Sequence, residues 1–203
     1  MLTLYYAPQS RATRIVQLIE ALGVRDKVDI RQVSVVRADG SGGRDPANPH
    51  PDGKVPLLEH DGQAIRESNA IMIHLTTLFP EAGLAPAPGT PEHGAYLGWM
   101  TWYGNVVEPV LVAKLSGIEH PAIQSNFRGW DEVMAELETA LASGDYLMGA
   151  RFTAVDILVG SIFAWVPGLA PDSAAITGWI ARCQAHPSFA AVGAFEAEAM
   201  AEV

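Results

Sequence analysis

The chain has 203 residues, a net charge of -10, 49% apolar residues and 18% charged residues, a balance typical of a globular protein with one large core or two smaller ones. The acidic excess argues against a nucleic-acid partner, because phosphate backbones are met by basic patches. A single cysteine, Cys183, excludes an internal disulfide framework and any Cys-x-x-Cys redox or zinc motif, which fits a reducing, cytoplasmic setting.

No apolar run approaches the roughly 18–20 residues of a membrane span. The first residues, MLTLYYAPQS, lack the basic start and apolar stretch of a signal peptide. In chain order, Leu2 to Tyr6 reads as a short strand stopped by Ala7-Pro8-Gln9-Ser10. A helix follows from about Arg11 to Leu22, with Ile15, Leu18, Ile19 and Leu22 on one face and Gly23 as its stop. The β-branched run Val28 to Val36 predicts a second strand, and the glycine- and proline-rich segment from Arg37 to Asp52 reads as loop with at most one irregular helical turn.

The stretch GKVPLLEHDGQAIRESNAIMIH, Gly53 to His74, carries the densest signals. Asp61-Gly62 between two short apolar runs predicts a hairpin, since both residues tolerate the positive φ of a tight turn. Ser68 or Asn69 is the expected N-cap of a helix whose face holds Ile71, His74, Leu75 and Leu78. Unpaired N–H groups at that helix start form a seat for a carboxylate, and Glu67 beside it suits an amine, so a small zwitterion is the ligand the stretch suggests. Glu67 and Ser68 would serve equally as cap residues, stabilising the helix by about 0.5–2 kcal/mol.

Phe79 to Pro91, rich in proline and glycine, reads as a linker, and everything beyond it as helix. Tyr96, Trp99, Met100, Tyr103, Val107 and Val110 follow helical spacing, with Pro109 expected to kink a long helix rather than abolish it. Trp130, Val133, Met134, Leu137 and Leu141 mark another helix. Ile157 to Val166 is apolar nearly all round, which predicts a central buried helix, opened by a Thr153–Asp156 capping box. Ile176, Trp179, Ile180 and Cys183 share a further helix ending near His186-Pro187, which makes Cys183 a small core residue. A last helix runs through Phe189 and Val192.

GKVPLL resembles the loop that carries the cis-proline of the cytosolic glutathione transferases, RESNAI resembles that family's Glu-Ser-Asn-Ala-Ile signature, and FTAVDI is similar to its capping-box segment. With the β-α-β-loop-β-β-α order, the proline-rich linker and the helical remainder, the resemblance to this family, in its bacterial seryl type, covers essentially the whole chain. It implies an α/β plus all-α architecture: a thioredoxin-like domain (β-α-β-β-β-α) over residues 1–80, a linker over 81–91 and an all-helical domain over 92–203. It implies a cytoplasmic homodimer that conjugates glutathione, as co-substrate and without a metal, to a hydrophobic electrophile in detoxification. A non-catalytic glutathione-binding protein and a glutathione-dependent peroxidase are the alternatives on the same site.

Residue by residue, the resemblance implies that Pro56 is cis and that the Val55 backbone pairs with the cysteinyl part of glutathione. Ser68 would bind the γ-glutamyl carboxylate and Glu67 its amine. Lys54 would meet the glycyl carboxylate, with His50 and Asn48 as weaker candidates. A thiol of pKa about 8.5 needs roughly 1.4 kcal/mol of preferential thiolate stabilisation for each unit of depression. Ser10 is the favoured donor, with Tyr6 at the strand's end and a backbone N–H as competitors, and Arg11 would add positive potential. The second substrate would lie between the domains, against Trp99, Trp102, Tyr103, Asn105 and Val106, of which Trp102 and Asn105 lie off the core stripe. His74 reads as a satisfied core or interface histidine, and the histidines show no metal-ligand spacing.

Overall fold

The Asp61-Gly62 turn forms as its chemistry dictates: both residues have positive φ, 49° and 82°, and they join strands β3 (Leu57–His60) and β4 (Gln63–Arg66). The computed structural model describes residues 1–201. Strands β1 (Leu2–Tyr6) and β2 (Val28–Gln32) complete a four-stranded sheet in the order β2-β1-β3-β4. β1 runs parallel to β2, as the intervening helix α1 (Thr13–Leu22) allows, and antiparallel to β3. β2 is shorter than the run Val28 to Val36 predicts. Val33 still donates to the Tyr6 carbonyl at 2.8 Å, but β1 ends there, and the Ser34 N–H turns to the Asp45 carboxylate at 2.9 Å.

α1 begins at Thr13 rather than Arg11, because the preceding residues are held in a turn around Ser10. It stops at Gly23, whose φ of 67° lets the chain close the last turn. Its buried face, Ile15, Leu18, Ile19 and Leu22, packs with Leu4, Leu57 and Leu58 of the sheet in the core, each side chain contributing about 1.5–3 kcal/mol. The segment Arg37 to Asp52 is loop with no helical element among its residues. Helix α2 (Ser68–Leu78) follows β4 directly; its N-cap is Glu67 and not Ser68 or Asn69, since the chain reverses at Glu67 with φ 72° and Ser68 is already helical. Ile71 and Leu75 are buried as expected, whereas Leu78 is exposed.

Helices α3 (Pro91–Trp102), α4 (Glu108–Ser116), α5 (Pro121–Phe127), α6 (Trp130–Leu141), α7 (Ala154–Trp165), α8 (Ala174–Ala185) and α9 (Pro187–Ala201) make up the rest. Between α3 and α4 the chain forms a π turn over Tyr103–Val107, in which the Glu108 N–H reaches back to the Tyr103 carbonyl. Pro109 explains it: proline has no N–H and its ring crowds the carbonyl of residue 105, so the ladder widens by one residue instead of breaking. α7 carries Val155, Leu158, Ile162 and Phe163 in the core but ends in an exposed Trp165, so it is buried along most rather than all of its length. At its start the buried Asp156 carboxylate accepts from Thr153 N (2.8 Å), Thr153 Oγ1 (3.1 Å), Leu147 N (3.0 Å) and Trp179 Nε1 (2.9 Å).

The chain divides into two compact units: residues from Met1 to Ala82 together with the chain from Ala185 onward, and Gly83–Gln184. The first is a thioredoxin-like arrangement of sheet and helices; the second is helical. α9 packs on α1, so the sheet unit takes in a segment far beyond the break read at Pro80.

Candidate active site

The register of the sheet gathers the predicted binding residues at one edge. Tyr5 pairs with Leu57 and Leu57 with Arg66, so these three residues form one row across β1, β3 and β4. Immediately beyond that row lie the loop after Tyr6, the Val55–Pro56 bond before Leu57, and Glu67-Ser68 after Arg66. Neighbouring strands are about 4.8 Å apart, so the row is about 10 Å wide, the extended length of a tripeptide.

The Val55–Pro56 bond is cis. Val55 is half-buried against Tyr5, Val33 and Leu57, while Pro56 is buried. The loop ahead of them is braced by its own side chains. Asn48 Nδ2 donates to the Lys54 carbonyl (3.1 Å), Asn48 Oδ1 accepts from His50 N (3.0 Å), and His50 Nδ1 accepts from Asp52 N (3.0 Å). Asn48 and His50 are buried in these contacts, which makes them supports of the loop; the Lys54 side chain is exposed. Glu67 lies exposed at the head of α2 with φ 72° and ψ 127°, a conformation that is unfavourable for a side-chain-bearing residue. It turns the first-turn N–H groups of α2, with half-buried Ser68, toward the same edge of the sheet.

The loop after β1 is the most heavily restrained part of the site. Ser10 Oγ donates to the Ala7 carbonyl (2.7 Å) and accepts from Ala12 N (3.1 Å), so it organises the turn ahead of α1. Tyr6 is fully buried, and its hydroxyl donates to Glu196 of α9. Burial, then the hydrogen bond and charge of Glu196, push the phenol well above its ordinary range, with Arg37 opposing. The same Glu196 accepts from Gln9 N (2.8 Å) and Thr13 Oγ1 (2.7 Å), and Arg37 donates to the carbonyls of Pro8 (2.7 Å) and Gln9 (3.2 Å). Neither Glu196 nor Arg37 stands out in the sequence, where each reads as a solvated charge. Arg11 is exposed ahead of α1.

A model of the glutathione S-transferase N-terminal domain matches residues 1–77, and one of the C-terminal domain matches residues 70–187. The chain belongs to the glutathione S-transferase family. By structure, a glutathione transferase from Methylococcus capsulatus strain Bath matches with a TM-score of 0.78 at 25% identity, covering 97% of this chain and 99% of that one. A sphingomonad glutathione S-transferase complexed with glutathione gives 0.74 at 22% identity over 96% and 98%. A beta-class enzyme from Sphingomonas chungbukensis gives 0.72 at 21% over 96% and 98%; these last two show the fold. No curated protein matches the chain by sequence.

This glutathione transferase keeps its own thiol out of reach. Cys183 is buried on α8, and burial, with Asp156 nearby, pushes its thiol far up, so the nucleophile is the sulfur of glutathione. Of the residues read as a second-substrate wall, Tyr103 is core at 2% exposure, Trp99 and Trp102 are half-buried and meet edge to face at 5.1 Å, and Asn105 and half-buried Val106 belong to the π turn. His74 of the transferase pairs with His60 across a 3.0 Å ring-nitrogen contact. Among the described residues no group of three or more metal-ligating side chains comes together, and no helix is long and apolar enough to cross a membrane.

Proposed function

We propose that the transferase lays reduced glutathione along the row Tyr5–Leu57–Arg66, with the Val55 backbone against the cysteinyl residue and Ser68 and Glu67 holding the γ-glutamyl carboxylate and amine. Lys54 meets the glycyl carboxylate, and Arg11 adds positive potential beside the thiol. The observation that carries this reading is the strand register, which brings the three segments to one edge at the spacing of a tripeptide. Ser10 is the thiolate donor. Its hydroxyl is half-exposed and bonded only to local backbone, so a rotation about one bond turns it from the Ala7 carbonyl to a sulfur. Tyr6 is the poorer donor, because its proton is held by a carboxylate in the core.

The thiolate then attacks an electrophilic carbon of a hydrophobic substrate: a carbon–sulfur bond forms, and the leaving group departs with its electron pair or the added electrons are protonated. Thiolate stabilisation and proximity supply the catalysis. The half-buried Trp99, Trp102 and Val106 and the exposed Asn105 offer the surface for that substrate. A cytoplasmic homodimer is the setting this reading takes. Retention on immobilised glutathione, followed by turnover with a generic aromatic electrophile, tests it. Retention without turnover across a panel of electrophiles and peroxides would replace it with a non-catalytic binding role.

A further inference from the structure

We infer that Glu196, on the last helix, is a positioning residue for thiol activation: together with Arg37 it clamps the peptide groups at Pro8 and Gln9, and so fixes Ser10. This rests on the reading of Ser10 as the donor. One carboxylate takes a proton from the residue before the loop (Tyr6 OH), one within it (Gln9 N, 2.8 Å) and one after it (Thr13 Oγ1, 2.7 Å). On the opposite side the Arg37 guanidinium holds the Pro8 and Gln9 carbonyls at 2.7 and 3.2 Å. The Gln9 peptide is therefore gripped at its N–H by an anion and at its C=O by a cation.

The grip has something to hold. Gln9 sits at φ 51°, in the left-handed region that a side-chain-bearing residue leaves readily when nothing restrains it. Ser10 is the next residue, and its hydroxyl is useful to a thiolate only if its direction is set before the sulfur arrives. α9 is itself fixed for the task. The Phe195 ring meets Tyr6 edge-on at 5.2 Å, Arg25 lies over the other ring contact of Phe195 at 5.5 Å, and Gln32 Nε2 donates to the Ala199 carbonyl at 3.3 Å. A surface glutamate with one partner would do none of this; Glu196 has three, and they bracket the loop.

The test separates position from charge by sign. Removing a negative charge near a thiol by itself lowers the thiol pKa, whereas releasing the donor raises it. Glu196→Gln, Ser10→Ala and the double variant are titrated with bound glutathione, reading thiolate ultraviolet absorbance against pH, with glutathione affinity measured alongside. Glu196→Gln is expected to raise the bound thiol pKa by about one unit, roughly a tenfold loss of thiolate at neutral pH, with affinity changed by no more than about threefold. In the Ser10→Ala background it adds nothing, because the two act through one group. A bound thiol pKa that is unchanged or lower, or a rise that adds fully to that of Ser10→Ala, overturns the inference. Arg37→Met, which loosens the clamp from the other side without touching α9, carries the same expectation and is read if Glu196→Gln fails to fold. If wild-type protein leaves glutathione titrating as the free thiol, it is the proposed function that fails, not the clamp alone.

Discussion

The Tyr6 hydroxyl donates its proton to the Glu196 carboxylate, joining the end of the first strand to the last helix across 190 residues of sequence. That bond assigns the phenol to structure. A hydrogen bond to a charged, part-buried partner contributes about 1.5–3 kcal/mol, so Tyr6→Phe is expected to lower unfolding free energy by that amount. The bound thiol pKa stays where it is in the wild type, because Gln9 and Thr13 still hold Glu196. Denaturant melts and a glutathione titration check both halves; a thiol pKa that climbs to the free value in Tyr6→Phe would make Tyr6 the donor.

Glu67 carries strain at the binding edge. Its φ of 72° with ψ of 127° suits glycine, and such a conformation costs a side-chain-bearing residue on the order of 1–3 kcal/mol. Glu67→Gly should therefore raise stability by about 1 kcal/mol, after the entropy of the added glycine is subtracted, while weakening glutathione binding through loss of the carboxylate. Ser68→Ala should weaken binding without moving the thiol pKa. Melting temperature and calorimetric affinity, measured on the same preparations, test this opposition; Glu67→Gly with lower stability and unchanged affinity would remove the role given to Glu67.

Asp156 is a buried carboxylate whose tendency to hold a proton is raised by burial and opposed by its hydrogen bonds to Leu147, Trp179 and Thr153. Asp156→Ala leaves those donors unsatisfied in the core and removes the cap of α7, which at about 1–3 kcal/mol for each buried unsatisfied group predicts a loss of at least 3 kcal/mol. Equilibrium unfolding measures it. A loss below about 1 kcal/mol would mean that the four contacts do not hold the helix start together.

Local chemistry explains which parts of this fold are legible in the sequence. The Asp61-Gly62 hairpin, the Gly23 stop and the Thr153–Asp156 pair are fixed by neighbours within a few residues, and each forms where the residues place it. The ends of β2 and the start of α1 are not, because they depend on where β1 stops and on the turn around Ser10. The N-cap at Glu67 was hidden by a φ value that the residue type disfavours. α5 carries no long apolar stripe to announce it, and the π turn is foreshadowed only by Pro109. Glu196 and Arg37 are the least legible of all: their roles are long-range contacts made by residue types that are ordinarily solvated. The binding edge was readable because glutathione is held largely by backbone and by a helix start, which leave local marks.

His74 supplies a pH dependence with a definite sign. Burial, and then the charge of His60, lowers its affinity for a proton below the ordinary value of about 6.5. The unfolded chain then binds more protons than the native state as pH falls below that value, so native stability is fully present above it and declines as pH drops toward the lower folded value. His74→Gln should flatten this decline relative to wild type, with His186, whose proton affinity burial also lowers, left to contribute equally in both proteins. Urea midpoints between pH 5 and 7.5 give the comparison. Parallel curves would show that the His60–His74 contact does not report on folding.

The central claim is that the edge row binds glutathione and that Ser10 ionises it. The direct measurement is the pH titration of thiolate absorbance for glutathione bound to the wild-type protein and to Ser10→Ala. The account predicts a bound thiol about one to two units below the free thiol in the wild type, returning most of the way in Ser10→Ala at nearly unchanged affinity. Coincident titrations of the two proteins would contradict it.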